Sequence, residues 1–115
     1  MTNLFPFTAG LMATQSADET TSPAVDCQGY PFLGGYVTGA GVTSSGVITF
    51  EEAPTADFAG AWSPIGTINA SDVTNGGAKA LAFTARGYAW VRARISTAIG
   101  GGGTISAYLT GSPSA

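Results

Sequence analysis

Gly87–Ile95, which reads GYAWVRARI, decides the fold, because strict alternation, aromatic content and most of the positive charge coincide in it. As a strand it sets Ala89, Val91, Ala93 and Ile95 on one face and Tyr88, Trp90, Arg92 and Arg94 on the other. The residues point to a small, antiparallel, all-β domain with no visible active site.

Working outward, Lys79 to Ala85 alternates Ala80 and Ala82 with Leu81 and Phe83, and Arg86-Gly87 turns into the central strand. Ala78 to Ala85 also suits a helical turn by composition, but its length and glycine flanks favour a strand. On the C-terminal side, Ser96 to Gly103 leads to Thr104–Thr110, where Ile105, Ala107 and Leu109 alternate with Ser106 and Tyr108. Upstream, Asn75-Gly76-Gly77 is a turn signal, since those residues tolerate positive φ. Before it, WSPIGTI contains Pro64, which lacks a ladder donor and marks an edge or bulged strand. Phe32–Thr38 and Val47–Glu52 are two further strands, joined by a glycine-rich loop as a hairpin or a crossing between sheets.

This pattern predicts an antiparallel β-sandwich or small barrel of about 6–8 short strands. The alternation places Ile48, Phe50, Val91, Ile95, Ile105 and Leu109 in its core. No 3.6-residue period is sustained, so no helix beyond a turn or two is expected. Residues 1–23 read as an extended N-terminal arm and 24–115 as the sandwich. Leu4, Phe5, Phe7, Leu11 and Met12 give the arm apolar groups without a clear period, and a partner surface is their natural destination.

The 115 residues fit one domain with one core. Charged residues are only 10% of the chain, against about a quarter in ordinary soluble domains. A surface so poor in charge is expected to be covered in part by other chains. The net charge of −3, with four basic residues, argues against nucleic-acid and membrane-surface partners. No apolar run reaches membrane-spanning length. The N-terminus has no basic region and does not read as a signal peptide, so synthesis in a reducing cytoplasm is expected.

Cys27 is the only cysteine, and there is no histidine. Common zinc sites and Ser-His or Cys-His catalytic pairs are therefore ruled out. Glu51 and Glu52 are adjacent on a strand and point to opposite faces, so they are not a facing carboxylate pair. Glu52, Asp57 and loop carbonyls offer oxygen donors to Ca²⁺, but a solvated strand end is the simpler reading. Ile99–Gly103 has neither the Lys-Ser/Thr nor the helix of a phosphate loop. No catalytic, metal or cofactor residue is assigned. Tyr88, Trp90 and Tyr108 form an aromatic platform for protein or glycan if the last two strands pair. Arg92 and Arg94 share the Trp90 face, where Glu51, Asp57, Asp72 or another chain can meet them.

The segments GxxxxGVITFE, AWSPIG, GYAWVRARI and GTISAYLTGS, spanning Gly46–Ser112, occur in an order that resembles the small all-β virion proteins of tailed bacteriophages. Within Ala53–Trp62 the chain departs from that family's loop, because no glycine stands between Asp57 and Phe58. The resemblance implies a non-enzymatic virion protein at the phage head surface. Its first form is a capsid decoration (cement) protein, a homotrimer that binds the major capsid protein across subunit joints. Its second is a tail- or fibre-associated module that binds host-surface glycan through Tyr88, Trp90 and Tyr108.

Overall fold

Eight strands follow one another in the computed structural model, which describes residues 5–83 and 89–113. They are β1 (Phe7–Gln15), β2 (Val25–Asp26), β3 (Phe32–Ala40), β4 (Ser45–Ala53), β5 (Ser63–Asn69), β6 (Ala78–Phe83), β7 (Trp90–Gly100) and β8 (Thr104–Ser112). Among the described residues, helix is confined to one 3-10 turn, Ala70–Val73. The strands form two four-stranded antiparallel sheets, β1-β8-β3-β6 and β2-β7-β4-β5, packed as a sandwich. Only β4–β5 connects neighbours within a sheet, and every other connection crosses over. That order is an eight-stranded jelly roll.

The alternation in the sequence becomes the core. Ile48, Phe50, Val91 and Ile95 on one sheet and Ile105 and Leu109 on the other are all essentially inaccessible to solvent. Phe50 reaches across the sandwich to Phe83, with ring centroids 5.4 Å apart. Gly35 makes room for it: a Cβ there would lie 2.6 Å from Phe50 Cζ. The expected turn at Asn75-Gly76 is present, with φ of 57° and 81°. Pro64 lies on an edge strand, β5, beside a bulge opposite Phe50 and Glu51.

Two expectations are corrected. The last two strands do not pair, because β7 and β8 belong to different sheets. Gly101 and Gly102, with φ of 99° and 89°, turn the chain between them, a conformation that glycine alone adopts cheaply. Secondly, residues 7–22 are built into the sandwich rather than forming an arm beside it. β1 pairs with β8 from Phe7↔Gly111 to Gln15↔Ile105, and Leu11 is buried in the core. The following tract lies along β7: Glu19 N donates to Ile95 O at 2.8 Å, and Ser22 N donates to Ala93 O at 2.9 Å. The strand was hard to read because Ala9 and Gly10 are small and two register shifts, at Gly10/Met12 and Met12/Gln15, break its alternation.

Candidate functional site

The two outer faces of the sandwich differ in chemistry. On the β2-β7-β4-β5 sheet, cross-strand register sets Glu51 opposite Arg92 and Thr49 opposite Arg94. Arg92 Nε donates to Glu51 Oε1 at 2.8 Å and Arg94 Nε to Oε2 at 3.3 Å. The Glu51 side chain is only 3% exposed. Trp62 lies over the Arg92 guanidinium, 4.1 Å from centroid to Cζ, and its indole N–H donates to Phe58 O at 3.0 Å. Arg94 also reaches Glu19 at 3.0 Å, which ties the N-terminal tract to β7. This cluster is a bracing device: two guanidiniums share the Glu51 carboxylate, Arg94 also holds Glu19, and an indole covers Arg92.

The outer face of the β1-β8-β3-β6 sheet carries no charged side chain among the described residues. Its rows follow from register. Gly10, Tyr108, Tyr36 and Ala80 stand abreast, and Thr8, Thr110, Gly34 and Ala82 form the next row. The tyrosines make a ridge, with ring centroids 6.3 Å apart. Gly34 floors a trough of ≈ 550 Å³ between Tyr36 and Phe32, which continues to Pro6 and Phe7. Phe32 is 45% exposed, Tyr36 39% and Phe5, at the margin, 74%. An uncharged face with standing aromatics and a small-residue trough has the chemistry of a protein-contact surface.

Sheet edges offer a second route to association, and all four are blunted. β6 carries Lys79 at the inward position opposite Val37, held by Asp72 at 2.9 Å. β5 contains Pro64 and the bulge, and β2 has two residues. β1 is bent by its register shifts and by Thr14 at φ 48°. Inward charge, proline, brevity and bulges are the devices that oppose strand addition.

The sequence-derived site residues are distributed as follows. Leu4 and Tyr88 lie outside the described residues. Phe5 is exposed, and its carbonyl accepts a hydrogen bond from the Tyr30 hydroxyl at 2.9 Å. Phe7 packs edge-on against Tyr30, with centroids 4.9 Å apart. Leu11 and Met12 pack in and against the core. Trp90, Arg92 and Arg94 lie on one sheet and Tyr108 on the other, so Trp90 and Tyr108 do not form a common platform. The aromatic partner of Tyr108 is Tyr36, which the sequence reading missed. Its signal was present, since Tyr36 alternates with the buried Leu33, Gly35 and Val37.

No protein-family model matches the chain, and no curated protein matches it in sequence. Among solved structures it is similar to the SPBc2 prophage-derived protein YomS, at 15% identity and a TM-score of 0.54, over 97% of this chain and 99% of that one. It is also similar to a Bacillus endospore appendage described as a disulfide-linked pilus, at 16% identity and a TM-score of 0.49, over 96% and 97% of the two chains. The first likeness supports the fold.

Proposed function

We propose that the chain is a non-enzymatic structural protein of a phage particle, working as a capsid decoration (cement) protein seated on the major capsid protein across subunit joints. The observation that carries this reading is the contrast between the two outer faces. Arg92 and Arg94 are engaged inside the chain with Glu51, whereas the opposite sheet presents a face that is uncharged among the described residues, with exposed aromatics and a trough. Protein contacts are what such a face serves. The fold shared with a prophage-derived protein and the order of segments from Gly46 to Ser112 agree with a virion location. Phe5, exposed at the margin of that face, is the described member of the N-terminal apolar group available to a capsid partner.

The test is mass spectrometry and imaging of purified particles, with heads separated from tails. Presence of the chain on heads supports the reading, and its absence from particles overturns it. Recovery with tails, together with retention of the wild-type protein on a glycan array, would favour a tail or fibre module. Its sugar platform would then be Tyr36 and Tyr108, flanked by Thr8, Thr38 and Thr110.

A further inference from the structure

We propose that the outer face of the β1-β8-β3-β6 sheet packs on the same face of a second copy of this chain. The two-fold axis lies in the interface and runs across the strands, between the Tyr36 row and the Gly34 row. These rows are neighbours, about 7 Å apart along the strands, so ridge and trough sit side by side. An axis between them carries each row onto the other. Tyr36 of one copy then stands over Gly34 of the other, Tyr108 over Thr110, and Phe32 over Thr38. Every large side chain on these rows meets a small one.

Charge favours the same occupant. With a net charge of −3, two copies repel across most of their surfaces. The described acidic residues belong to the tract along β7, to β2, to β4, to the β4–β5 loop and to the 3-10 turn, none of them on this face. Two identical chains can therefore meet here without opposing like charges. Area is sufficient as well. Four strands of this length cover ~19 Å by ~30 Å, and counting both copies gives ~1,100 Å², above the ~1,000 Å² that a specific interface requires. Because the edges are blunted against strand addition, the face remains as the route to pairing.

This pairing rests on the reading of that face as a protein-contact surface and occupies it, which leaves the margin at Phe5 for a particle component, and it replaces the homotrimer implied by the family resemblance with a dimer. The experiment is light scattering of the full chain after size exclusion at micromolar concentration. The wild-type protein is expected at the mass of two chains. Ala82→Glu, at an exposed edge-strand position, sets a carboxylate opposite Ala80 of the other copy and is expected to reduce the mass to one chain while the chain still unfolds cooperatively, with a melting temperature lower only by what association contributed. Mixing Ala82→Glu with Ala80→Lys copies is expected to restore the two-chain mass, because these positions face each other across the axis. Tyr36→Ser removes the ridge without adding charge and is the second variant, also expected at one chain. A wild-type mass of one or three chains, or a two-chain mass indifferent to both variants, overturns the pairing. Failure of the mixture to restore the pair overturns the proposed register. A two-chain protein missing from phage particles would sink the decoration reading and leave this one standing, and a one-chain protein found on heads would do the reverse.

Discussion

Replacing Glu51 by Gln leaves Arg92 and Arg94 adjacent on the sheet without the carboxylate that both of them use. Breaking a fully buried pair costs about 3–5 kcal/mol. Here the two arginine side chains are 24% and 28% exposed and water relieves part of that penalty, so a loss of about 2 kcal/mol is expected. Urea unfolding of Glu51→Gln measures it, and an unchanged midpoint would show that the cluster does not brace the sheet. Cys27 provides a pH signature. Burial, and secondarily the charge of Asp26, push its thiol from an ordinary 9.0 up to about 12. The unfolded chain therefore releases that proton first, and the stability contributed by the neutral thiol is present below pH 9 and falls as pH rises toward 12. Cys27→Ala should flatten this decline between pH 8 and pH 11, as followed by denaturant midpoints. A variant that loses stability over that interval as steeply as the wild type would contradict the assignment.

At the scale of elements, the N-terminal strand gives the sharpest expectation. β1 covers the edge of β8 along its length, and the Ser22 hydroxyl accepts a hydrogen bond from Ala93 N at 2.9 Å. Deleting residues 2–22 removes Leu11 from the core and uncovers that edge, so the truncated chain is expected to unfold or aggregate by circular dichroism and scattering. A soluble, cooperatively melting truncation would mean that the sandwich stands without β1. Strands with clean alternation were legible in the sequence: β4, β7 and β8 each follow an inward-outward rhythm, and Pro64 and Asn75-Gly76 marked an edge and a turn. β1 was not, because glycine, alanine and two register shifts hide its period. Pairing between strands distant in sequence was also not legible. Alternation tells which side chains share a strand face, whereas Tyr36 and Tyr108 meet only because β3 and β8 are neighbours in a jelly roll. That topology is why the aromatic site expected from Trp90 and Tyr108 separated into two surfaces.

At the scale of the molecule, the two sheets divide the labour. One outer face is braced by charge and an indole, and the other is, among the described residues, left uncharged, ridged and open, while the edges are blunted. Blunted edges oppose growth by strand addition, and the proposed two-fold pairing through a face closes on itself. The most direct measurement is hydroxyl-radical labelling of side chains in the dilute free chain and in its associated form. Phe32, Tyr36 and Tyr108 are expected to lose labelling on association while Trp62, which covers Arg92 on the opposite sheet, keeps it. Equal labelling of the three aromatics in both states, or protection confined to Trp62, would contradict it.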